Sequence, residues 1–193
     1  GLYYAAKFIN QDGNIQNWAI DDKIPFVKEF IIFYFLHYFL PALALWITTF
    51  YDKSKFWILW FSAVACLVIS FITYCIYQVE MVRPEVTGND IFSKLVRFVY
   101  KGDIDSLNCF PSIHAIMGAF AIVCSFANKN NPLWMKIVFT VLSVGIIVST
   151  VFVKQHYFYD ALVGVILMFI SYPITYLIIG FIRKKSKNKS NEF

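Results

Sequence analysis

Charge is scarce in this sequence. Asp, Glu, Lys and Arg supply 15% of 193 residues, while hydrophobic residues supply 59% and the mean hydropathy is +0.62. So little charge excludes a soluble domain of this size. Cysteines number four and histidines three. Cys66, Cys75 and Cys124 fall inside apolar runs, and Cys66 and Cys75 would stand roughly 13 Å apart along one helix, too far for a disulfide. Cys109 has no evident partner. No Cys/His spacing of the kind a zinc site needs is present, so no metal and no cofactor is expected. There is no internal repeat and no cleavable signal pattern.

What is present comes in blocks. Residues 30–51 read "FIIFYFLHYFLPALALWITTFY", and residues 56–79 carry no formal charge. Residues 112–127, 133–153 and 161–182 complete five apolar runs. Runs of about 20 apolar residues span a hydrocarbon core as helices. The fold class predicted is all-α, a polytopic transmembrane helical bundle forming one membrane-embedded domain over residues 1–193. The opening "GLYYAAKFI" is apolar but too short to span. It is expected to be the remnant of a first helix, giving a six-helix core, with a short interfacial segment as the alternative.

Lys and Arg set the orientation. The tail over residues 183–193 begins "RKKSKNK" and is expected to be cytoplasmic. The loops at 52–55 and 128–131 then lie inside, and 10–25, 80–111 and 154–157 outside. A net charge of +5 concentrated in that tail suggests anionic membrane lipid as a neighbour, not nucleic acid. Residues 91–101, "IFSKLVRFVYK", carry Lys94, Arg97 and Lys101 three and four apart. They predict an amphipathic helix lying on the membrane as a lid or a lipid-headgroup entrance.

Three polar clusters should therefore meet at one end of the bundle. The first is "RP" at Arg83 and Pro84. The second is "NCFPSIHA", residues 108–115, where Pro111 suits a first helical turn whose free amides favour an anion. The third is "STVFVKQHYFYD", residues 149–160, with His156 and Asp160 spaced i, i+4 on one face. A carboxylate accepting one ring N–H would fix the tautomer and leave the other nitrogen free to attack. Arg83 and Lys154 supply fixed positive charge for a phosphoryl transition state. Lys154, two residues before His156, is expected to reach the same phosphate. Ser112 adds a hydroxyl, and an N-cap role is its plainer reading. Asn108 is read first as a turn-shaping residue, and Gln78 as a neutral donor. His37, about 18 Å from the outer end of its helix, is expected to pack rather than join the site.

Taken together, "RP", "PSIH" and "S-T-x5-H-x3-D" resemble the three-part signature of the type 2 phosphatidic acid phosphatase superfamily, in order and in spacing. The resemblance implies a six-helix core and metal-independent phosphoryl transfer through a phosphohistidine. By it His156 is the nucleophile, Asp160 its orienting carboxylate, and His114 the acid for the leaving group. Arg83, Ser112 and nearby amides hold the phosphate. The chain departs from the pattern at Ile76, where the family usually has Lys, at Ile113 for Gly, and at Thr150 for Arg. Lys154 and Gln78 are the candidates to compensate. The form "FPSIHA…KQHYFYD" is closer to the branch that includes inositol phosphorylceramide synthases and bacterial relatives, which transfers phosphorylated headgroups.

The functional expectation is cleavage or transfer of a lipid phosphate, on a phospholipid or isoprenoid-type substrate, at the outer face of a bacterial-type cytoplasmic membrane. Headgroup transfer between lipids or to a polyol such as inositol is the rival. A non-catalytic transporter or structural subunit is the third reading, and the scarcity of ionisable groups within the spans weighs against it.

Overall fold

The computed structural model describes residues 2–190, and side chains over residues 5–186. Residues 191–193 of the basic tail lie outside the described residues. The chain is mostly helical: α1 (Leu2–Ile9), α2 (Ile31–Phe35), α3 (Leu40–Tyr51), α4 (Phe56–Ile76), α5 (Ile91–Gly102), α6 (Ile113–Ala127), α7 (Leu133–Phe152) and α8 (Phe158–Ser190). Among the described residues one parallel pairing joins β1 (Asn14–Ile15) to β2 (Val79–Glu80).

Four stretches are long and apolar enough to cross a membrane: Lys28–Tyr51, Lys53–Ile76, Leu133–Phe152 and Phe158–Ser186. This is an integral membrane protein with a polytopic helical bundle. The fifth expected span is shorter. At 15 residues, α6 is about 22 Å long, against the ~30 Å of a hydrocarbon core.

Its position explains its length. α6 is the central helix, packed by α3, α7 and α8, and most of its residues are buried. Lipid offers helices no hydrophobic reason to associate, so close packing of small residues must do so. Ala115, Gly118, Ala119 and Ala121 give α6 that surface. Across the α6–α8 contact, a Cβ at Gly164 would come within 2.6 Å of the Ser112 carbonyl oxygen. Only glycine lets α8 approach that closely.

The first span is not one continuous α-helix. Pro41 has no N–H to offer the carbonyl four residues back, that of His37, and its ring crowds that carbonyl. The chain tightens into a 3₁₀ turn over Leu36–Tyr38 before α3 begins. At the far end of α6, Asn131 Nδ2 satisfies its last carbonyls, donating to Cys124 O at 3.2 Å and Ser125 O at 3.0 Å.

The loops sort as the sequence reading groups them. Tyr74 OH, near the end of α4, donates to Pro111 O at 2.6 Å, and Ser112 N–H donates to Asp160 O at 3.0 Å. The end of α4 and the starts of α6 and α8 therefore share one end of the bundle. The amphipathic helix is present as α5, capped by Asp90, whose Oδ1 accepts from Phe92 N and Ser93 N.

Candidate active site

A cavity of about 800 Å³ opens at that end. His37, His114, His156, Gln155 and Asp103 give it a polar floor, and Phe35, Tyr38, Phe98, Val99 and Leu107 an apolar wall. Tyr38 and Phe98 are exposed at its mouth.

His156 ends the short turn that follows α7. Its N–H and that of Gln155 both bond to Thr150 O, closing α7, and its ring is buried. His114 stands in the first turn of α6, where Ser112 is the N-cap and its Oγ accepts from Ala115 N at 3.3 Å. Pro111 thus precedes the cap, two positions before the first helical residue where it was expected. The two imidazoles meet, with His114 Nδ1 and His156 Nε2 3.0 Å apart.

Elementary donor bookkeeping orients the chain of hydrogen bonds. His156 Nδ1 lies 2.9 Å from the Cys109 carbonyl, which can only accept, so Nδ1 carries the proton. In a neutral ring Nε2 then holds a lone pair, and His114 Nδ1–H must donate to it. His114 Nε2 is in turn an acceptor, and Tyr34 OH donates to it at 2.8 Å. Every proton in the chain from Tyr34 to Cys109 is placed by one backbone carbonyl.

Asp160 behaves differently from expectation. His156 precedes α8, so the i, i+4 stacking of a continuous helix does not apply. Asp160 Oδ2 reaches back to Tyr157 N–H at 2.8 Å, as an N3 carboxylate does in a capping box. It stands 3.8 Å from His156 Nδ1, close enough for an ion pair but longer than a hydrogen bond. Its Oδ1 is buried without a partner among the described residues.

Arg83 is not on the cavity wall. Its guanidinium bonds to the backbone and carboxylate of Asp103, at 2.6 Å for the Oδ2 contact, and to Gln155 Oε1 at 3.1 Å. It also stacks 4.8 Å over the Tyr100 ring. Asp103 pairs with Lys7 of α1 as well, at 2.6 Å. Burial alone would raise the Asp103 carboxyl, but Lys7 and Arg83 outweigh it and hold it below the usual carboxylate range.

Lys154 is turned away from the site. Its Nζ donates to the carbonyls of Asp21, at 3.1 Å, and Ile24, at 2.7 Å. Its φ of +50° closes α7 in the left-handed region that Gly usually fills. Burial lowers its pKa, against the pull of Asp21 and Asp22. Asp21 itself accepts Phe158 N–H at 2.7 Å, so Lys154 secures the loop that caps α8.

The remaining expectations fall into place around this core. Asn108, with φ +62°, shapes its turn. Its Oδ1 accepts from Gln78 Nε2 at 2.7 Å, and its N–H donates to Gln78 Oε1 at 2.8 Å. Gln78 is thus spent on the loop. Ile113 lines the cavity, Thr150 Oγ1 bonds to Ile147 O, and Ile76 is 75% exposed, facing away from the site.

His37 overturns the depth argument made from sequence. Its ring is perpendicular to that of His114, centroids 4.4 Å apart, inside the cavity. His37 lies only seven residues from the outer start of its apolar run, about 10 Å along a helix rather than 18 Å, and the first span is broken by a 3₁₀ turn. Tyr34, Asp103 and Gln155 also escaped sequence reasoning. A proline four residues after a mid-span histidine was the one local signal available.

Cys109 Sγ, His156 Nδ1 and Asp160 lie within 4.8 Å of one another, a spacing a metal could use. The donor set fits poorly. Burial, with Asp160 nearby, pushes the Cys109 thiol well up, it bonds to Ser106 O, and His156 Nδ1 carries a proton.

Two histidines in contact at the head of a central helix, in a membrane bundle, can be compared with known families. A family model described as the PAP2 superfamily matches residues 79–184, more than half of the chain. The chain belongs to this superfamily. The PAP2 match starts at β2 and runs into α8, so it contains Arg83, His114, His156 and Asp160 but not Tyr34 or His37. The chain matches no curated protein and no solved structure in the two other comparisons. Membership implies phosphatase or phosphotransferase activity on phosphate substrates.

Proposed function

We propose that this PAP2 protein hydrolyses a lipid phosphate through a phosphohistidine on His156. The observation that carries the reading is the 3.0 Å contact of His114 Nδ1 with His156 Nε2, in a chain whose protons are fixed from Cys109 O. The bound phosphate parts the two rings and draws a second proton onto His114. The His156 Nε2 lone pair forms a bond to phosphorus as the ester P–O bond breaks. His114 Nδ1 gives its proton to the leaving oxygen and is left neutral. The Asp160 carboxylate, whose Oδ2 stands 3.8 Å from His156 Nδ1, stabilises the positive charge that gathers on His156. Water then takes the phosphoryl group. No metal is assigned a part.

The test is to quench the protein in alkali with diacylglycerol phosphate carrying a radiolabelled phosphate. Alkali-stable label on wild type, absent from His156→Ala together with turnover, is the expected result. Turnover by His156→Ala at near wild-type rate would falsify the covalent step.

A second reading, transfer of a phosphorylated headgroup as in the inositol phosphorylceramide synthase branch, has its own support. Arg83 is already paired with Asp103, and Ile76 and Thr150 add no cation, so the site suits a singly charged phosphodiester better than a doubly charged monoester. The apolar wall has room for lipid. Mass spectrometry of mixed phospholipids after incubation separates the readings. Free alcohol and phosphate support hydrolysis, and a new phosphodiester supports transfer.

A further inference from the structure

His37 lies in the cavity, yet no step above employs it. Its Nδ1 meets the backbone carbonyl of Tyr34, which can only accept, so Nδ1 carries the proton. In the neutral ring the Nε2 lone pair is left over. Among the described residues the hydrogen bond made by the His37 ring is the one on Nδ1. His114, beside it, is the opposite case: Tyr34 holds Nε2 and His156 holds Nδ1. The cavity thus contains one imidazole committed as a donor toward the nucleophile and one presenting a lone pair.

The backbone is arranged to keep it so. Pro41 interrupts the helical ladder at His37, and the resulting 3₁₀ turn brings the ring across to His114. The Tyr34 carbonyl fixes the tautomer, as a hydrogen bond on one ring nitrogen does.

We propose that His37 is the general base of the second half-reaction. This rests on the phosphohistidine reading above. The attacking water or alcohol hydroxyl hydrogen-bonds to His37 Nε2. Its oxygen bonds to phosphorus as the bond from phosphorus to His156 Nε2 breaks, and that electron pair returns to Nε2. The hydroxyl proton passes to His37 Nε2, and solvent removes it. His114 and His37 thereby divide the acid and base work between two rings.

The experiment separates the half-reactions. Wild type, His37→Ala and His37→Gln, each in detergent micelles, are mixed rapidly with radiolabelled diacylglycerol phosphate. Label on protein is followed as it forms and decays. The expected result is formation within about threefold of wild type, and decay slowed roughly 10²-fold, so that phosphoenzyme accumulates. Added imidazole should speed decay in His37→Ala. Decay at the wild-type rate, or equal slowing of both steps, overturns the proposal, because a packing residue gives no such split. If His37→Ala does not fold, His37→Gln, which keeps an amide donor for the Tyr34 carbonyl, decides by the same split. If wild type itself takes no label, the phosphohistidine reading fails first, and the role of His37 falls with it.

Discussion

Arg83 and Asp103 grip each other at two points, guanidinium to carboxylate and guanidinium to backbone carbonyl, and Lys7 holds the second carboxylate oxygen. Arg83, expected from the sequence to hold the phosphate, is therefore engaged by Asp103 instead. Asp103, on the cavity wall, occupies the place of an anion.

This arrangement sets a pH dependence. The folded Asp103 carboxyl lies below its unfolded value, so its stabilisation is complete above about pH 4. It is lost as pH falls through the lower folded value. Asp103→Asn should flatten the stability profile across that acid window and cost about 3 kcal/mol at neutral pH, the lower end for breaking a buried pair. Thermal unfolding in detergent between pH 3 and 7 checks both. A profile as steep as wild type refutes the assignment.

Gly164→Ala should separate packing from chemistry. A methyl group there meets a backbone carbonyl, which cannot rotate away, so α8 must move off α6. Overpacking of this kind costs about 1–3 kcal/mol. A shift near 1 Å between His114 and His156 should lower kcat by about 10²-fold. Wild-type kcat with lowered stability would show that the helices adjust without disturbing the histidines.

Lys154 should matter for folding more than for catalysis. Lys154→Ala loses two hydrogen bonds to the 21–24 loop and still has a side chain at positive φ. Lys154→Gly loses the same bonds but relieves the backbone, and should be about 1 kcal/mol more stable than the alanine variant. Both should keep kcat within about tenfold of wild type. A larger fall in kcat without a fall in Tm would place Lys154 on the phosphate after all.

Tyr34→Phe removes the donor to His114 Nε2 and leaves a buried acceptor unpaired. We expect the barrier to rise by about 1.4 kcal/mol, a fall of about tenfold in kcat, with a shifted pH optimum. Unchanged kcat and pH profile would mean that the hydroxyl only fills space.

Sidedness can be read directly. Ile104 is 80% exposed beside the cavity. An impermeant thiol reagent should reach Ile104→Cys from outside intact cells and Lys184→Cys only after permeabilisation. The reverse pattern moves the chemistry to the cytoplasm.

The residues whose roles depend on local sequence were legible. The apolar runs, the amphipathic α5 and the Ser112 cap follow from periodicity and spacing, and the order of the spans brings the segments of His114 and His156 to one end. What escaped depends on contacts between distant segments. Nothing near Asp103 announces Lys7, 96 positions earlier, and nothing near Lys154 announces the carbonyls of Asp21 and Ile24. Asp160 misled because spacing was read on a helix that begins two residues after His156. His37 misled because one proline changed the path of the chain.

The shortness of α6 has a bearing on how this protein can change. The chain leading into it, through Leu107, Asn108, Cys109 and Ser112, is buried and non-helical where longer helices flank it. Irregular backbone at such a level survives only when protein or a cavity encloses it. A residue inserted there has no solvent to spill into, whereas the connection at 52–55 is open. Length variation among descendants of this chain should collect at the end opposite the histidines, leaving the approach to α6 at fixed length.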